Sequence, residues 1–115
     1  MDQNIKNQSR QFAAKVVLLH KQLSARKKES VMSEELLRSG AGVGADLVRA
    51  ECAMGKNDQI AKMYKALQDC AEAKYWLELL NETGYLTEFE FSDTLKECDE
   101  LGKQLVTRIR NLPVK

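Results

Sequence analysis

Apolar positions along this chain recur every three or four residues, and nowhere do they alternate. Phe12, Val16, Leu19 and Leu23 mark a first stripe, flanked by Ala13, Val17 and His20. That spacing predicts an amphipathic helix over about residues 5–28. Its last turn, "ARKK", places three cations where a helix dipole favours them. Ser33, followed by Glu34 and Glu35, reads as the cap of a second helix. Ile60, Met63, Tyr64, Leu67, Cys70, Ala71, Leu77 and Leu80 predict a third over about 57–83, with Gly84 at its C-terminal cap. Thr87 and Glu90 have capping-box spacing. Phe91, Leu95, Cys98, Leu105, Ile109 and Leu112 carry a fourth helix to Pro113, which closes it. There is no strand pattern and no internal repeat. Short connections make neighbouring helices antiparallel, so the expectation is one all-α domain over 1–115, an antiparallel up-and-down four-helix bundle.

The second stripe contains an unusual stretch, "LLRSGAGVGADLVRAE", with three glycines in five positions. A Walker phosphate loop needs Lys directly after its glycines, and none follows until Lys56. Gly40-Ala-Gly42-Val-Gly44-Ala45 satisfies the loose dinucleotide pattern, but that pattern needs a preceding strand, and "SEELLRS" is cap and helix. Wound as a helix over 34–54, Leu36, Gly40, Val43, Leu47, Ala50 and Met54 share one face, with Leu37, Ala41, Gly44 and Val48 beside it. The apolar phase passes through the glycines unbroken. Three interior glycines cost about 3 kcal/mol relative to alanine, and close approach of another helix at Gly40 and Gly44 would offset it. Arg38, Gly42, Ala45 and Arg49 lie roughly opposite, as a solvated face or as a second packing surface.

Charge is near balance overall, at +1, but unevenly placed. Residues 1–30 carry seven Lys/Arg against Asp2 and Glu29, whereas residues 69–100 carry ten acids against Lys74 and Lys96. The last fifteen residues add Lys103, Arg108, Arg110 and Lys115. If the first and last helices lie side by side, their positive charge pools on one surface. No apolar run reaches the roughly 20 residues that cross a bilayer, and no secretory signal is visible, so no membrane role is expected. Three cysteines without a CxxC spacing argue against a disulfide framework and for a cytoplasmic setting.

Catalytic chemistry finds little to work with. His20 is the sole histidine and sits beside a core stripe. No ExxH motif is present for a di-iron site, and Cys52, Cys70 and Cys98 serve as small apolar side chains. The expectation is no enzyme, no cofactor and no metal. Tyr75, Trp76 and Leu79 supply more apolar surface than one bundle stripe requires, which suits either the core or an interface between subunits.

The blocks "LLRSGAGVGADL" and "MYKALQDCAEAKYWLELLNETGYL" resemble the four-helix-bundle proteins encoded in bacterial 23S-rRNA intervening sequences. The pattern of that family reads "QLLRSSxSIGANI" and then "ALKEAxExxYWLxLLxxTGYL". Matches run through Leu36, Leu37, Arg38, Ser39, Gly44, Ala45 and Leu47. They resume at Ala66, Leu67, Ala71 to Ala73, Tyr75 to Leu77, Leu79, Leu80 and Thr83 to Leu86. Where the pattern has Asn and then acidic residues after "GA", this chain has Asp46, Val48 and Arg49. The resemblance implies a bundle assembling into a ring, commonly a pentamer. It also implies kinship with accessory proteins of diversity-generating retroelements, which bind nucleic acid and a reverse transcriptase. It brings no catalytic residues.

The expectation from both lines is a non-enzymatic homo-oligomer that binds RNA or an RNA-containing complex. Lys15, Lys21, Arg26, Lys27 and Lys28 of the first helix would contact phosphates, together with Lys103, Arg108 and Arg110 of the last. Arg38, Gly40, Gly42, Gly44, Ala45, Arg49, Tyr75, Trp76 and Leu79 are the candidates for contacts between helices or between subunits. The alternative is a protein-binding scaffold or accessory subunit, for example for a reverse transcriptase, using the acidic 69–100 segment or the Arg38/Arg49 face.

Overall fold

The structure, a computed structural model, describes residues 2–112. It contains four helices, α1 (Gln3–Arg26), α2 (Val31–Glu51), α3 (Lys56–Glu82) and α4 (Glu88–Arg110), and no strand among the described residues. Pro113, expected to end the last helix, and Lys115 lie outside that range. Helix α1 packs on α2, α2 on α3, α3 on α4, and α4 closes onto α1. The result is a rod of 49 × 21 × 20 Å. Cross-helix partners pair rising numbers with falling ones: Asp2 meets Arg108, Lys15 meets Asp93 and Glu97, and Lys27 meets the Tyr85 carbonyl. Helices α1 and α4 therefore run in opposite senses.

The core forms where the apolar stripes converge. Phe12, Val16, Leu36, Val43, Leu77, Leu80 and Leu105 are all fully inaccessible. Each helix contributes, so no helix buries its stripe without the others.

Local chemistry sets the ends, and in two places it differs from the expectation. Helix α2 begins before Ser33 because Glu29 supplies the cap. Its carboxylate accepts from the Met32 N–H (3.1 Å) and the Ser33 N–H (2.9 Å). Ser33 instead turns its hydroxyl inward, donating to the Glu29 carbonyl at 3.1 Å. The same helix ends at Glu51, not 54; Met54 lies in the turn and is 96% exposed. Gly55, at φ +148°, takes the chain through that turn. The Thr87/Glu90 capping box at the start of α4 is formed on both sides. Glu29→Ala removes both acceptors for α2 and should cost about 1–2 kcal/mol, read as a lower urea midpoint. Glu29→Gln keeps one acceptor oxygen and should lose less.

Candidate nucleic-acid interface

The basic end of α1 is built by its last turn and the residues after it. Arg26 sits in the last turn, where the dipole favours a cation. Lys27 donates to the Tyr85 carbonyl at 2.8 Å, and Lys28 turns the chain at φ +54°. Lys21, Arg26, Lys27 and Lys28 are all exposed. Lys15 is not part of this group. Its ammonium bridges Asp93 and Glu97 of α4. Burial pushes the Lys15 pKa down, but the two carboxylates outweigh it and hold the ammonium above the usual lysine range. Lys15 therefore joins α1 to α4.

The basic end of α4 lies at the far end of the rod. Arg108 holds the Asp2 carboxylate and the Gln104 side-chain oxygen. Lys103 and Arg110 are exposed. They flank a groove of about 590 Å³ between α3 and α4, floored by Leu67, Cys70, Ala71, Cys98, Gly102 and Val106. Because α1 and α4 run oppositely, their basic C-terminal ends do not pool. Tyr85 and Arg108, which mark the two ends, are separated by about 35 Å at 1.5 Å per residue. The single positive surface expected from the sequence is replaced by two patches. Acids of the α4 N-terminus, Glu88 and Glu90, stand near the first.

The α2 face carrying Arg38, Gly42, Ala45 and Arg49 proves to be a seam. Arg38 binds Glu35 and reaches Glu72 on α3. A Cβ on Gly42 would stand 3.0 Å from Asp69 Oδ2 of α3, whereas Gly40 lies against Val16 and Phe12 of α1, and Gly44 against Ser9. The glycines thus let two different helices approach α2 from two sides. Ala45 remains exposed.

Within the α2–α3 seam two carboxylates meet. Asp46 is 2% and Asp69 5% exposed. Arg49 reaches one Asp46 oxygen at 3.0 Å, and Lys65 reaches Asp69 at 2.8 Å. The other Asp46 oxygen has no donor among the described residues. Burial, then the neighbouring Asp69, raises the Asp46 pKa to about 6. Burial also opposes the Asp69 charge, but a hydrogen bond from protonated Asp46 and the Lys65 ammonium keep Asp69 below its usual range. Below about pH 6 the pair therefore holds one proton, on Asp46. No sequence signal pointed to it, since both residues read as ordinary polar positions.

Tyr75 is exposed and meets Trp76 edge-on, with ring centroids 4.9 Å apart. The Trp76 indole donates to Glu72 at 2.9 Å, and Leu79 is half-buried. Tyr64, assigned to the apolar side of α3 from its spacing, is exposed and continues this face. Leu18 and Phe89 are further exposed apolar side chains that the stripe analysis passed over.

The fold also brings His20 Nδ1 to 2.8 Å from Ser33 Oγ. Ser33 is fully inaccessible and His20 half-buried. Among the described residues no cluster of three His, Cys, Asp or Glu is arranged to hold a metal. No helix there is long and apolar enough to cross a membrane.

Comparison with known proteins places the chain. The sequence profile of the 23S rRNA-intervening sequence proteins matches residues 1–107. A solved structure of a protein of unknown function from the S23 ribosomal protein family of Bacteroides thetaiotaomicron is 38% identical, with a TM-score of 0.91. The match covers 93% of this chain and 99% of that one. No curated protein matches the sequence significantly.

Proposed function

The chain belongs to the family of 23S rRNA-intervening sequence proteins, and from that premise we propose a non-enzymatic helical bundle that assembles with its own copies and holds structured RNA by its phosphates. One observation carries the reading. Lys21, Arg26 and Lys28 at one end, and Lys103 and Arg110 at the other, are exposed and pair with no carboxylate among the described residues. Eight other Lys and Arg side chains form ten ion pairs. Arg10, Lys56 and Lys96 are likewise exposed and outside them, so these five belong to a larger set of unanswered cations and are the ones gathered toward the C-terminal ends of α1 and α4. Such cations bind phosphate without reading bases. Assembly into a ring, a pentamer by the family resemblance, would multiply weak patches by avidity. The face of Tyr64, Tyr75, Trp76 and Leu79 is the proposed contact between copies, since Tyr and Trp anchor interfaces.

The alternative, a protein partner such as a reverse transcriptase docked on the acidic 69–100 segment, would rest on Glu78, Glu82, Glu88 and Glu100, which are exposed and in no ion pair among the described residues, because the other acids are engaged. Asp93 and Glu97 serve Lys15, Asp99 serves Lys74, and Glu72 serves Arg38 and Trp76. The Arg38/Arg49 face is likewise engaged, with Glu35, Glu72 and Asp46.

Anisotropy of a labelled, structured RNA tests the proposal. Affinity should fall by roughly ten-fold or more between about 50 and 200 mM salt. The double variant Lys103→Glu, Arg110→Glu should weaken binding at low salt by a further ten-fold or so. Binding that ignores both salt and charge reversal, or no binding, rules the reading out. Light scattering with and without nuclease separates self-assembly from RNA-driven assembly.

A further inference from the structure

We propose that Cys70 and Cys98 form a redox-reactive dithiol that closes into a disulfide across the α3–α4 seam when hydrogen peroxide enters the groove above it. The two sulfurs stand 3.9 Å apart on facing helices. Each also lies against the other's backbone carbonyl: Cys70 Sγ is 3.4 Å from the Cys98 oxygen, and Cys98 Sγ is 3.5 Å from the Cys70 oxygen. The side chains therefore face each other across the seam. Both thiols are free.

Their placement gives a small oxidant a way in. Both residues are nearly inaccessible as wholes, yet both line the floor of the α3–α4 groove. Gly102, one turn beyond Cys98, also lines that floor. A Cβ there would stand 3.7 Å from Cys70 Sγ, in ordinary contact. Gly102 thus puts no side chain between the Cys70 sulfur and the groove, so a small oxidant needs only a slight opening there, which a larger side chain would block.

Cys70, whose sulfur lies beside the bare Gly102 at the groove floor, is the attacking thiol. A hydrogen bond from Cys98 holds its pKa below the usual thiol range, while the same contact and burial push Cys98 up. Cys70 loses its proton and attacks one peroxide oxygen. The O–O bond breaks, a sulfenic acid forms, and the leaving hydroxide takes up the proton as water. Cys98 sulfur then attacks the Cys70 sulfur. The S–S bond forms, the S–O bond breaks, and the departing hydroxide leaves as a second water with the Cys98 proton. Two thiols are oxidised by two electrons, and one peroxide is reduced to two waters. Neither the exposed Cys52 nor any metal takes part.

The test uses the full chain carrying Cys52→Ser, to exclude links between molecules. The reduced protein is exposed to hydrogen peroxide and digested without reductant for mass spectrometry. The expected product is a monomer lighter by two hydrogens, with a Cys70–Cys98 linked peptide. Its Tm should rise by roughly 5–10 °C, because the link closes a long loop of the unfolded chain, and dithiothreitol should reverse the rise. Gly102→Val should slow the reaction several-fold in the folded protein and leave it unchanged in the denaturant-unfolded chain. Absence of the linked peptide, or linkage no faster in the folded than in the unfolded chain, overturns the proposal. A folded-state rate untouched by Gly102→Val overturns the groove as the route.

Discussion

Gly40→Leu should destabilise the bundle by about 3 kcal/mol, seen as a large drop in urea midpoint with no change in slope. The reason lies in what a side chain would meet. A Cβ at Gly40 stands 3.0 Å from Val16 Cγ2, 3.2 Å from Val16 Cγ1 and 3.4 Å from Phe12 Cε2. Both neighbours are fully inaccessible, so neither can swing into solvent. Leucine then adds three further carbons to occupied space. Its better helix propensity returns only about 1 kcal/mol, so overpacking wins. Gly44→Ala should behave oppositely. Its methyl would lie 3.4 Å from Ser9 Oγ, an ordinary contact, and the gain in propensity should stabilise by about 0.5–1 kcal/mol. A Gly40→Leu protein as stable as the parent would show that α1 and α2 are not held this close.

The second large effect is a gain. Asp46→Asn should stabilise the protein by about 2 kcal/mol near pH 8 and by almost nothing near pH 4. Asp46 has its folded pKa raised from 3.8 to about 6. The native state therefore holds that proton more tightly than the unfolded chain does. The resulting stability is fully present below about pH 4, and it is lost as pH rises through about 6. Above that, two buried carboxylates face each other with Lys65 and Arg49 alongside and Arg38 acting on Asp69 from further off. Asp69, whose folded pKa is lowered, behaves oppositely: its contribution is present above its ordinary value and lost as pH falls through its folded one. Asparagine at position 46 gives Asp69 a permanent N–H donor in place of the shared proton. It is also the residue that the pattern quoted above carries at this place. Thermal melts of both proteins from about pH 4 to 8 check it; parallel curves would refute the shared proton.

Much of the fold was legible because a bundle writes its core into the helical period. Phe12, Val16, Leu19 and Leu23 were all read as core and all are buried. The glycine stretch kept its apolar phase; a Cβ at Gly40 would crowd Val16, whereas one at Gly44 would make an ordinary contact with Ser9. Helix ends were less certain. Glu29 caps α2 from four residues before Ser33, the residue that local preference favoured. Tyr64 fits the apolar spacing of α3 yet is exposed, because spacing cannot say how wide a stripe the neighbours cover.

The charges divide the same way. Their clustering along the chain is a property of the sequence, and so is the absence of catalytic histidine pairs. Which charges remain free is not. Lys15 and Arg108 looked like the other basic residues until α4 and the N-terminus came beside them. The sequence by itself determined four helices, their core faces and the family pattern, since these depend on period and local capping. Only the tertiary structure decided that the basic ends stand apart, that Asp46 shares its proton with Asp69, and that Cys70 faces Cys98. Each depends on where residues of different helices come to lie, which is set by the order and direction in which the helices pack.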